Sequence, residues 1–106
     1  MDQIPAEIRR IINQYIKELG KNKIHIQRAV MFGSYSKGLS HEWSDIDIAL
    51  VSDAFDGVRM RDRNKIRRIT LSISSDLSPI PFRPEDFTAD DPLVREILET
   101  GTTIVL

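Results

Sequence analysis

Apolar positions along the chain change their period several times, and each change predicts an element. Ile4, Ile8, Ile11, Ile12, Tyr15, Ile16 and Leu19 follow at steps of 4, 3, 1, 3, 1 and 3, which gathers them on one stripe of a helix. Pro5 suits the first turn of that helix and Gly20 its end. Ile24 to Phe32 is rich in Ile, Val and Phe, is closed by Gly33, and predicts a strand. Small, polar and basic residues from Ser34 to Ser44 predict a turn plus a short helix. Asp45 to Val51 alternates and then becomes continuously apolar, which predicts a second strand. Ile66, Ile69 and Ile73 are spaced for one face of a long helix. The "LSPIPF" after Asp76 reads as an extended segment that Pro79 and Pro81 confine to a sheet edge or a bulge. Asp90 or Asp91 can cap a last helix with Pro92 in its first turn and Leu93, Val94, Ile97 and Leu98 on one face. Gly101 then stops it before a strand, "TIVL". The order predicts one α/β (α+β) domain over residues 1–106, a small mixed sheet with helices packed on it.

Composition narrows the function classes. The 106 residues are 41% apolar and 29% charged, with 5 Gly and 5 Pro, the range of an ordinary globular domain. Fifteen basic against sixteen acidic residues leave a net charge of −1, so nucleic acid could be gripped only by a local basic patch. No apolar run approaches a membrane span and the start lacks a signal-peptide pattern. Absence of cysteine excludes disulfides and thiolate metal sites and fits a cytoplasmic protein. With only His25 and His41 available, a metal would have to be held by carboxylates, which favours Mg²⁺ or Mn²⁺.

Two aspartates within the second apolar run are the sharpest feature. Residues i and i+2 of a strand share a face, so Asp45 and Asp47 point one way while Ile46 and Ile48 point the other. Close carboxylates repel unless a cation or a proton stands between them. Mg²⁺ commonly takes one or two carboxylates and completes its shell with phosphate and water. An edge strand with a solvated face is the alternative reading of the same pattern. Gly33 and Ser34, directly after the first strand, add a second element. A glycine lets backbone approach a ligand, and a strand-to-helix turn aims free N–H groups at an anion.

The motif G-S-x10-D-x-D that these residues form, within "GSYSKGLSHEWSDIDIALV", resembles the signature of the minimal nucleotidyltransferases of the DNA polymerase beta superfamily. The likeness extends over most of the chain and implies the polymerase-beta-like nucleotidyltransferase fold. It implies that Gly33 and Ser34, with Lys37 and Ser44 beside them, bind a nucleoside triphosphate such as ATP, and that Asp45 and Asp47 ligate Mg²⁺ or Mn²⁺. Lys37 stands where relatives often carry arginine, and a lysine meets phosphate without the bidentate fork. Relatives place a third acid at the start of the strand after the long helix, which implies Asp76 as the third catalytic and metal-ligating carboxylate; a helix-end role is the alternative. The implied activity is transfer of a nucleoside monophosphate to a hydroxyl of a protein or RNA. The implied context is a toxin–antitoxin pair with a separate helical HEPN-type partner, or else a homo-oligomer. A non-catalytic module that neutralises or scaffolds a partner is the rival reading.

From Arg59 to Arg68 six of ten residues are basic, whereas Arg83 to Glu99 is acidic by six to two. The basic run reads either as a solvated helix face or as a docking surface for RNA or an acidic partner. No aromatic residue interleaves it to stack a base. Tyr35, His41 and Trp43 are further candidates for contact with a nucleotide, and His25 reads as structural.

Overall fold

The computed structural model describes residues 4–33 and 45–106. The turn and short helix expected between Ser34 and Ser44 lie outside them.

Helix α1 (Ala6–Lys21) forms on the predicted stripe. Ile12, Tyr15 and Leu19 are fully buried, with Ile8, Ile11 and Ile16 packed beside them. Its end differs from expectation, since Gly20 stays inside the helix. The chain leaves at Lys23 (φ 66°), whose N–H donates to the Gly20 carbonyl at 3.1 Å while the Ile24 N–H donates to the Leu19 carbonyl at 3.0 Å. This helix-ending pair of bonds usually places glycine at the left-handed position; here a lysine holds it. Because Ile24 closes the helix, it cannot begin the strand.

Strand β1 is therefore Arg28–Phe32, shorter than the Ile24–Phe32 expected. Its antiparallel neighbour β2 (Ile46–Val51) sets that limit, because the ladder runs out at Arg28 opposite Val51. Helix α2 (Arg59–Ile73) and strand β3 (Leu77–Phe82) follow. After a single 3₁₀ turn at Pro84–Asp86 come α3 (Pro92–Thr100) and β4 (Thr102–Thr103). Of the two candidate caps it is Asp91 that serves α3, accepting from the Leu93 N–H at 2.9 Å. The last strand is also displaced from the expected "TIVL". Pairing with β1 covers only Thr102 and Thr103, and Val105 and Leu106 are exposed.

The sheet order is β3-β2-β1-β4, with β3 parallel to β2 and the other pairs antiparallel. β3 is an edge strand, as its prolines require. The Asp76 and Phe82 carbonyls accept from the Ile46 and Ser52 N–H groups, so even-numbered residues of this strand turn their polar backbone to β2. Pro79 and Pro81 fall on the odd parity, where an N–H would point outward without a partner.

Alternation divides the sheet into two apolar faces. Ala29, Met31, Ile46, Ile48, Leu50 and Leu77 join the core under α1 and α2, where Ile66 is fully buried and Ile69 and Ile73 are partly so. Val30, Ala49, Val51 and Phe82 form the opposite core with Val94 and Ile97 of α3 and Phe87, whose ring meets Phe82 edge-on at 5.2 Å. Asp47 has the parity of this second face and stands two residues before Ala49.

Two polar contacts fix α2. Asp62, only 1% exposed, accepts from the Asp56 and Gly57 N–H groups at 2.8 and 2.9 Å and so ties the β2–α2 loop to the first turn of the helix. Removing the carboxylate leaves both donors without partners at a cost of about 1–3 kcal/mol each. Asp62→Ala is therefore expected to lower stability by roughly 2–4 kcal/mol in urea unfolding, and an effect below about 0.5 kcal/mol would contradict this anchoring role.

The Tyr15 hydroxyl and Thr70 Oγ1 are 2.5 Å apart and join α1 to α2. Burial pushes the Tyr15 phenol up from 10.0 to about 12, only partly offset by the bond to Thr70. A raised folded-state value means that this contribution to stability is complete below pH 10 and is lost as pH climbs through about 12. Tyr15→Phe should accordingly flatten the fall of stability between those pH values relative to the parent. Identical alkaline unfolding curves would refute the buried-phenol account.

Candidate active site

The aspartate pair sits where three strands converge at one end of the sheet. Asp47, the second residue of β2, is opposite Phe32 at the end of β1 and opposite Ser78 near the start of β3. Residues opposite one another in a ladder share a face, so Phe32, Asp47 and Ser78 form one row across the sheet. Further along the same face of β2, Ala49 and Val51 lie in the core with α3, so the strand's chemistry changes from polar to apolar within three residues. Asp45 directly precedes β2 and is exposed, whereas Asp47 is half-buried.

Electrostatics follow from this placement. Burial pushes the Asp47 carboxyl above the usual carboxylate range, the Asp45 charge adds to the rise, and a hydrogen bond from the Ser78 hydroxyl opposes it. Asp47 thus carries a charge the fold disfavours.

Gly33 is built against the same carboxylate. Its φ of 81° lies in the left-handed region, and a Cβ there would stand 3.2 Å from Asp47 Cγ and still closer to Oδ2. The backbone conformation disfavours any side chain, and a Cβ would have to displace the Asp47 carboxylate. The main chain at Gly33 therefore passes close to Asp47, which brings the glycine of the motif beside its second aspartate.

Asp76 falls one step before β3, at the level of Asp45, and its carbonyl accepts from the Ile46 N–H at 2.8 Å. Its own N–H donates to Ser74 Oγ at 3.2 Å, and its side chain is exposed. Among the described residues, no three carboxylate or histidine groups are gathered closely enough to hold a cation together. The strand start that carries Asp76 thus lies beside the start of β2 that carries the pair. Ser34, Lys37 and Ser44, together with Tyr35, His41 and Trp43, are outside the described residues.

Ser78 is the site residue that sequence reasoning missed. Its signal was parity with Asp76, two residues earlier on the same strand, but only the parallel register brings it to Asp47.

Two carboxylates and a hydroxyl beside a closely approaching glycine, at the strand ends of a mixed sheet, are oxygen donors of the kind a hard cation takes. The fold is that of a nucleotidyltransferase. The family described as "Polymerase beta, Nucleotidyltransferase" matches residues 14–106, and the chain belongs to it, in agreement with the minimal nucleotidyltransferase resemblance. Protein adenylyltransferase MntA of Shewanella oneidensis is 31% identical over 90 residues, covering 84% of this chain. The chain spans 60% of the length of that curated relative. Among solved structures, a toxin–antitoxin complex with AMP-PNP is similar at a TM-score of 0.61 and 22% identity, over 92% of this chain and 72% of that one. A mutant MntA–HpeT toxin–antitoxin complex is similar at 0.60 and 24%, over 88% and 71%. A candidate nucleotidyltransferase of Sulfolobus solfataricus is similar at 0.63 and 15%, over 92% and 78%. These structures share the fold. No helix among the described residues is long and apolar enough to cross a membrane.

Proposed function

We propose that the chain acts as one nucleotidyltransferase domain over residues 1–106 that moves AMP from ATP onto a hydroxyl of a partner protein, as the antitoxin of a toxin–antitoxin pair. The observation that carries this reading is the closeness of Gly33 to Asp47, which puts the glycine of the motif beside one of its aspartates as a shared phosphate and cation site requires. Likeness to an adenylyltransferase and to toxin–antitoxin complexes supports the choice of nucleotide and partner. In one of those complexes two aspartates spaced two positions apart are replaced by glutamate, the spacing of Asp45 and Asp47.

The donor set fits Mg²⁺ or Mn²⁺, with Asp45 and Asp47 holding it and Asp76 the further carboxylate for the acceptor side. When bound, such a cation neutralises phosphate charge and lowers the pKa of an attacking hydroxyl. The chain's own residues do the rest. Main chain at Gly33 and Ser34 receives the triphosphate, with Lys37 and Ser44 at its border. Ser78 holds the Asp47 carboxylate in place, and Asp76 accepts the proton of the acceptor hydroxyl. The acceptor oxygen bonds to the α-phosphorus as the bond to the β-phosphate breaks, and pyrophosphate leaves. The acceptor is a helical HEPN-type protein, and the reaction belongs in the cytoplasm.

Labelled ATP tests this. Incubated with Mg²⁺ and the product of the neighbouring gene, ATP labelled at the α-phosphate should transfer label to that protein, and ATP labelled at the γ-phosphate should not. Transfer from the γ-position would make the chain a kinase and overturn the reading.

A further inference from the structure

On the face of the sheet opposite that of Asp47, a groove of about 610 Å³ runs between α2 and the edge strand β3. One wall is an arginine stripe, Arg59, Arg63 and Arg67, at successive four-residue steps of α2 and hence on one helix face. Met60 and Leu71, 75% and 57% exposed, supply apolar surface at its two ends, and Pro79 forms part of the other wall. Arg59 lies over the Phe82 ring at 5.5 Å, which braces its guanidinium. Among the described residues Arg63 and Arg67 make no hydrogen bond or ion pair, although the chain has one more acidic than basic residue. Arg63 and Arg67, beside exposed apolar side chains, thus contribute no hydrogen bond or ion pair to the fold among the described residues.

We infer that this groove docks an acidic amphipathic helix of the acceptor protein, with carboxylates on the Arg63 and Arg67 stripe and an apolar ridge on Met60 and Leu71. Charge complementarity selects an acidic partner. Strand addition is excluded, because Pro79 and Pro81 leave the outward edge of β3 without the N–H groups an added strand would need. A nucleic-acid strand is disfavoured because the groove lining has no aromatic side chain to stack a base. A helix laid in the groove uses both its chemistries, since its apolar ridge covers exposed methionine and leucine while its flanks meet arginine. The groove includes Leu77, the residue after Asp76, so a partner seated there lies next to the strand start that the transfer reaction uses. The inference rests on the protein-acceptor reading above for the partner's role, but its test needs neither nucleotide nor transfer.

A fluorescent helical peptide of about 20 residues, with a leucine ridge flanked by glutamates, is titrated with the protein and followed by anisotropy. Saturable binding is expected, weakening as salt rises and falling by about tenfold or more in Arg63→Glu with Arg67→Glu and in Leu71→Ser. The same peptide with lysine for glutamate should not bind. Thermal unfolding of the variants should stay close to the parent, because Arg63 and Arg67 make no hydrogen bond or ion pair among the described residues and Leu71 is largely exposed. No saturable binding, equal binding by the charge-reversed variant, or tighter binding of a single-stranded RNA than of the glutamate peptide would overturn the inference. Peptide binding that survives alongside failed label transfer would instead leave the groove standing and remove the transfer reading.

Discussion

Asp47→Asn is expected to cut AMP transfer by about 10²- to 10³-fold while making the metal-free protein more stable at neutral pH. The two effects have one cause. Burial and the Asp45 charge hold the Asp47 carboxyl above its ordinary range in the folded chain. For a group whose folded value is raised, the associated stability is present below the unfolded value and is lost as pH rises through the folded one. At neutral pH the carboxylate is therefore a strain on the apo fold, and an amide of the same shape removes it. That carboxylate is also what a cation would neutralise, so Mg²⁺ or Mn²⁺ with nucleotide should raise the melting temperature of the parent and not of a variant with both Asp45→Asn and Asp47→Asn. An Asp47→Asn protein less stable than the parent without metal would contradict the electrostatic account.

Gly33→Val should be the other severe change. Valine cannot hold φ at 81° without strain of about 1–3 kcal/mol, and its Cβ would displace the Asp47 carboxylate. Transfer should fall by orders of magnitude, with the melting temperature lower and insensitive to metal and nucleotide. Gly33→Ala has the same Cβ without the branching, so it should keep the fold better while still losing the metal response. Ser34→Ala removes at most one hydrogen bond, worth about 0.5–1.5 kcal/mol, and should be the mildest of the three. Full transfer activity in Gly33→Val would exclude this turn as the phosphate site.

The elements whose signal is local were legible in the chain. α1, α2 and α3 follow from 3.6-residue periodicity, and the parity of Asp45 and Asp47 follows from alternation in β2. Errors came where an element's extent depends on a distant partner. Ile24 to Phe32 looks like one strand, but β2 pairs only from Arg28, and Ile24 closes the preceding helix. "TIVL" looks like a strand, but β1 offers pairing to Thr102 and Thr103. The same reason hid Ser78, whose nearness to Asp47 is a matter of parallel register, and Asp62, which reads as one acid among arginines until the fold brings the Asp56 and Gly57 N–H groups to it. Gly33 was legible as a close-approach residue, but that its main chain passes close to Asp47 could be seen only in three dimensions.

Titration of the protein with MnCl₂ in the presence of AMP-PNP, followed by the electron paramagnetic resonance of free Mn²⁺, tests the carboxylate site most directly. Saturable uptake of Mn²⁺ that requires the nucleotide and vanishes in the folded variant with Asp45→Asn and Asp47→Asn is the predicted result. Equal uptake by that variant and the parent would contradict the placing of a cation and nucleotide site on β2.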